Sequence, residues 1–163
     1  MRKLNNPFKN LEGYNCFGCS PDNQSGLQLT FCEDNDELVS IWNPKSFFQG
    51  YHNVLHGGIQ ASLMDEIASW VIYVKLKTTG FTSNLNVRYL KPVNATDPQI
   101  TLRARVKNLR RNLADIEVQL YNHNNLLCAE ALVTYFTFSR EKAEGQVYLP
   151  DHRDFYKDDP LIS

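Results

Sequence analysis

The residues whose types and spacing suit chemistry gather around one point in the chain. His56-Gly57-Gly58 immediately precedes a long stretch without helix breakers, and Asp65-Glu66 falls about two turns inside it. A helix start exposes unpaired N–H groups at the positive end of its dipole, and glycine lets a ligand oxygen approach that backbone closely. Gly57 and Gly58 therefore suit an oxyanion hole, with His56 bonding near the same oxygen or holding the loop; a tight turn into a helix is the competing reading. On a helical wheel Asp65 sits at the border of the apolar arc, between Ala61, Ala68 and Ile72, whereas Glu66 shares the polar sector with Ser62, Ser69, Tyr73 and Lys77. A carboxylate at the edge of a buried face is costly unless partnered, and such groups concentrate at active sites. Asp65 is thus the functional candidate, against a plain solvated helix carboxylate, and Glu66 is expected at the surface. Cys16-Phe17-Gly18-Cys19 has the spacing of a zinc knuckle, but a structural zinc takes four ligands and no second pair follows, so a simple turn and no metal are expected. No phosphate-binding Gly-Lys loop, Gly-x-Ser-x-Gly elbow or His-Glu-x-x-His is present.

These residues need a helix and a sheet to hold them. Residues 58–77 form the longest helical candidate, about 30 Å as a rod, with Leu63, Met64, Ile67, Ala68, Val71 and Val74 on a wide apolar arc. Before it, 26–31 and 37–42 flank the acidic turn 33–36 and read as a hairpin. After Thr79-Gly80 the pattern turns to period two across 82–90, 100–107 and 114–121, and the apolar run 126–138 reads as a central strand. Turns at 93–98, 110–112 and 122–125 stand at hairpin spacing. The order of two strands, one helix and four strands predicts an α+β fold, an antiparallel sheet with a single helix on one face.

The 163 residues fit one domain, with an arm at 1–24, a core at 25–138 and a tail or strap at 139–163. No membrane-length apolar window and no signal-peptide pattern occur, and four unevenly spaced cysteines fit a reducing compartment, so a cytoplasmic location without membrane contact is expected. The net charge of −1 hides a segregation. Residues 1–74 carry four basic and eight acidic side chains, 75–111 carry nine and one, and 112–163 carry four and nine. That balance argues against a nucleic-acid partner, while the basic middle segment suits a small anionic ligand or, more plainly, a solvated sheet face.

The runs 54–59 and 63–66, followed by 82 and 88–92, resemble the hotdog-fold acyl-CoA thioesterases of the phenylacetate-degradation (PaaI-like) group, and Cys16-Phe17-Gly18-Cys19 before Gly26-Leu27 is similar to a leader in that superfamily. The resemblance implies a long central helix wrapped by a curved antiparallel sheet of five to six strands, with active sites built at a homodimer interface or within a dimer of dimers. It implies that Gly57 gives its N–H to the thioester oxygen, with His56 supporting the loop, and that Asp65 from the partner chain acts as nucleophile or as base for water. Gln49 would touch the thioester and Thr82 would place the water or carboxylate. Gly58, Arg88, Lys91, Arg110 and Arg111 would bind substrate, the basic residues at the phosphates of coenzyme A, which enters as part of the substrate and not as a resident cofactor. Phe47, Phe48, Tyr51, Trp70 and Tyr73 could line an acyl pocket, although aromatic residues beside a helix are commonly core. Two other classes are compatible with the same fold: a 3-hydroxyacyl thioester hydratase, because Phe48-Gln49-Gly50 is followed closely by His52, and a non-catalytic acyl-CoA-binding protein.

Overall fold

The computed structural model describes residues 1–146 and 148–157; the rest of the expected tail lies outside the described residues. Seven strands form one antiparallel sheet: β1 (Arg2–Lys3), β2 (Cys32–Asp34), β3 (Glu37–Trp42), β4 (Gly80–Tyr89), β5 (Ile100–Arg110), β6 (Leu113–Tyr121) and β7 (Leu127–Thr137). Their spatial order is β1-β2-β3-β5-β6-β7-β4. The helix α1 (Gly57–Lys75) packs against β3 to β7, and the curved sheet wraps it in the hotdog arrangement.

Alternation explains which face meets the helix. Ile100, Leu102 and Ala104 of β5, Ile116, Val118 and Leu120 of β6, and Val133 of β7 point inward and are buried with Leu63, Met64, Ile67 and Val71 of α1. The residues between them point outward. There Arg103 pairs with Asp34 and Glu37, and Arg105 and Lys107 pair with Glu117, so this part of the basic segment is a charge-balanced sheet surface.

The arm and tail close the side of α1 that the sheet leaves open. Phe31 stacks on Trp70 with ring centroids 4.3 Å apart, Phe155 meets the same indole edge-on at 5.6 Å, and a ring nitrogen of His152 lies 2.9 Å from the Val74 carbonyl. Trp70 is therefore a core residue, and Tyr73, partly buried, packs against the core and stacks with Phe155.

Several sequence expectations change. The helix runs from 57 to 75, because Lys77 adopts a left-handed φ of 52° and turns the chain away. Residues 26–31 are not a strand; the partner of β3 is β2, one turn nearer, and the arm adds β1, which makes seven strands where five to six were expected. The turn at 93–98 joins no hairpin, since β4 pairs with β7 and β5 with β3. The segment after β4 instead crosses the helix start, where Leu55 donates its N–H to Val93 O.

One further small helix, α2 (Arg140–Gln146), follows β7. None of the described helices is long and apolar enough to cross a membrane.

Candidate active site

His56 is the cap of α1, its Nδ1 accepting the Gly58 N–H at 2.9 Å. Ile59 and Gln60 donate their N–H groups to His56 O. Gly58 therefore has its donor engaged, whereas among the described residues the Gly57 N–H has no acceptor. The Gly57 carbonyl is held from the other side by the Tyr89 hydroxyl at 2.6 Å, a residue with no signal in the sequence as a site member. A Cβ at Gly57 would lie 3.3 Å from that hydroxyl, so glycine permits the close approach.

Two clefts flank this helix start. One, of about 420 Å³, is walled by Phe17, Phe47, Phe48 and Ile59, with Gln49, His56, Gly58 and Ser62 on its rim. The other, of about 350 Å³, has Gly57, Gln60, Tyr89 and Lys91 together with Tyr51, Val54, Leu55, Leu90 and Pro92. Gln60, unremarked in the sequence, is buried there: its Nε2 donates to Leu55 O, and its Oε1 has no partner among the described residues. Gln49 holds its own loop, Nε2 donating to Ser46 O and Oε1 accepting the Asn53 N–H. Tyr51 is 85% exposed and His52 is exposed beside it, so this loop gathers no acid–base pair.

Asp65 is partly buried two turns along α1. Its Oδ1 accepts two hydrogen bonds, from Thr82 Oγ1 at 2.8 Å and from Tyr135 Oη at 3.0 Å. These donors are a cross-strand pair, Thr82 of β4 opposite Tyr135 of β7, and a bulge between Thr82 and Asn84 follows the threonine. Burial and the adjacent Asp65 carboxylate push the Tyr135 hydroxyl far above its ordinary range, so it stays a donor. Tyr135 is, after Tyr89 and Gln60, the third contributor that sequence reasoning missed; its place in an apolar run marks it only as core.

Eight residues of helix separate Gly57 from Asp65, about 12 Å at 1.5 Å each. Within one chain the two do not meet at a single carbonyl. The basic candidates divide likewise: Lys91 lines the Gly57 cleft, whereas Arg110 pairs with Asp115 on the strand row that leads through Phe136 to Phe81, at the Asp65 end. Arg111 forms the adjoining turn with a φ of 54°. Arg88 lies on the outward face of β4 beside Glu130 at 3.4 Å, next along the strand to Tyr89.

Glu66 corrects the surface expectation. Its carboxylate lies beneath the Cys16–Cys19 turn, accepts the Trp70 Nε1–H at 3.3 Å, and leaves no room for a Cβ at Gly18, which would sit 2.2 Å away. Burial, reinforced by the Cys16 charge, pushes its pKa up to about 7.

Residues 52–129 match the family model of the thioesterase superfamily. A curated protein of Saccharolobus solfataricus named as a putative esterase is 30% identical over 95 residues, which cover 58% of this chain and 62% of that protein. The chain thus matches less than two thirds of that relative's length. Among solved structures, smu.793 of Streptococcus mutans, bound to acetyl CoA, superposes with a TM-score of 0.64 at 17% identity over 80% of this chain and 97% of its own. The thioesterase HI1161 of Haemophilus influenzae gives 0.62 at 22% identity over 69% and 80%. At these identities the two structures share the fold.

Proposed function

We propose that the chain is an acyl-CoA thioesterase of the phenylacetate-degradation type, a reading supported by the match of residues 52–129 to the thioesterase superfamily model and by the hotdog fold. One observation carries this reading: a Gly57 N–H without an acceptor among the described residues and a doubly anchored Asp65 occur on one helix, too far apart to serve the same carbonyl in one chain. A second copy resolves the separation. The strand β4 is an edge, exposed except at Gly80 and Val87, and it carries Phe81, Leu85 and Tyr89 as exposed apolar side chains. Unpaired edges invite strand addition. Antiparallel pairing of two β4 strands about their centre sets Thr82 of one copy opposite Val87 of the other, carrying Asp65 of one toward Gly57 of the other.

In that site the thioester oxygen takes the Gly57 N–H, which stabilises the charge that develops as the carbonyl becomes tetrahedral. Asp65 of the second copy, fixed through Oδ1, presents Oδ2 as nucleophile or as base for water. The C–S bond breaks and the thiolate of coenzyme A leaves: with Asp65 as base it takes the proton that Asp65 drew from water, and with Asp65 as nucleophile water then cleaves the acyl–Asp65 anhydride, one proton going to the thiolate and the acid and free carboxylate being released. The basic Lys91 side of one cleft suits the phosphates of coenzyme A, and the aromatic wall of Phe47 and Phe48 suits the acyl group. The acetyl CoA in the S. mutans relative supports a CoA ester as ligand.

The test is a panel of acyl-CoA esters followed by thiol release, with wild type and Asp65→Asn side by side. Hydrolysis of at least one ester by wild type, with kcat lowered about 10²- to 10⁴-fold in the variant at similar KM, is expected. No turnover by wild type, or full activity in Asp65→Asn, overturns the reading.

A further inference from the structure

The Cys16–Cys19 turn and the carboxylate beneath it have no place in the thioesterase mechanism. We propose that Cys16, Cys19 and Glu66 form a binding site for a divalent cation of the zinc class, which staples the N-terminal arm to α1.

The ligand set is assembled in space, not in sequence. One ligand atom from each of the three residues lies within 4.8 Å of the others. Cys16 Sγ stands 3.7 and 3.8 Å from the two Glu66 oxygens, close to the roughly 3.5 Å that tetrahedral geometry at ordinary zinc bond lengths sets between a sulfur and an oxygen ligand. Both cysteines are free thiols. Two sulfurs and one carboxylate form a borderline-soft donor set, and water completes the fourth position.

The surroundings hold these atoms ready. The turn is pinned on its far side by Leu27 N–H donating to Phe17 O at 2.7 Å and Leu29 N–H to Gly18 O at 2.9 Å. Trp70 Nε1–H fixes Glu66 Oε1, and the Tyr14 hydroxyl lies 2.9 Å from Cys19 Sγ. Such outer partners orient metal ligands. Two thiols and a carboxylate crowd one space beneath the arm, and no Lys or Arg among the described residues forms an ion pair with Glu66 there. A cation supplies the missing charge, and its binding releases the remaining thiol protons to solvent. Spacing alone argued against metal because the third ligand lies fifty residues from Cys16, on a helix.

The test uses the full chain, reduced, stripped with a chelator and titrated with Co²⁺ alone. One equivalent should give thiolate-to-cobalt charge transfer and tetrahedral d–d bands, both displaced by Zn²⁺, and Zn²⁺ should raise the melting temperature. Cys16→Ser should lose the charge-transfer intensity of one sulfur, and the near-isosteric Glu66→Gln should bind at least about tenfold more weakly, each with unchanged far-ultraviolet circular dichroism. Absence of the bands in reduced wild type, or identical bands and affinity in Glu66→Gln, overturns the proposal. The readout is independent of ester hydrolysis.

Discussion

Asp65 is distinguished from other helix carboxylates by two neutral donors on one oxygen and none on the other among the described residues. Removing either donor loosens the carboxylate without removing it, so Thr82→Ala and Tyr135→Phe should each lower kcat roughly tenfold while KM stays near wild type. Because both donors serve Oδ1, the double variant should fall short of the product of the single effects. A loss confined to KM would mean that neither group positions Asp65. At Gly57 the informative change is to proline. It deletes the N–H at a first helical position that suits proline, since His56 before it already has the extended backbone that proline requires (φ −56°, ψ 134°), and the Tyr89 hydroxyl, 3.3 Å from the new Cβ, has to shift only slightly.

α1 is covered on two faces, by the inward residues of β5 to β7 and, across from them, by Phe31, Phe8 and Phe155 around Trp70. Trp70 is the joint between arm, tail and helix. Trp70→Ala should cost about 3 to 5 kcal/mol of stability, read as a lower midpoint in urea unfolding. An unchanged midpoint would show that arm and tail do not stabilise the helix through this side chain. The edge strand β4 is the counterpart of this enclosure, since its outward side is the one long stretch of regular structure left unpaired among the described residues. Phe81→Lys with Leu85→Lys should leave a folded protein that sediments as a monomer and hydrolyses acyl-CoA at least about 100-fold more slowly, because charged side chains on an edge oppose strand pairing.

At the scale of the whole molecule, a site shared between copies has a quantitative signature. Asp65→Asn and Gly57→Pro chains should each be inactive alone. Mixed after reversible dissociation, half the dimers are mixed, and each mixed dimer regains one intact site, which predicts about a quarter of wild-type activity. Recovery of none would place Gly57 and Asp65 in the same chain's site. The fold is legible in the sequence: the period-two pattern and the breaker-free run predict an antiparallel sheet around one helix, and the wheel sets Asp65 apart from Glu66 as the site candidate. The wheel misjudged Glu66 because it treats one side of a helix as solvent, and here the arm covers that side. It also left Tyr135 and Tyr89 as ordinary strand residues. Sequence by itself determined α1, the strands β3 to β7 and the acidic and amide groups available on the helix, because periodicity and helix-end chemistry are local. Tertiary structure alone decided that Thr82 and Tyr135 share one oxygen of Asp65, that Glu66 meets Cys16 and Cys19, and that β4 lies at the edge. Those depend on strand register and on which distant segment covers which face, and neither has a local period to reveal it.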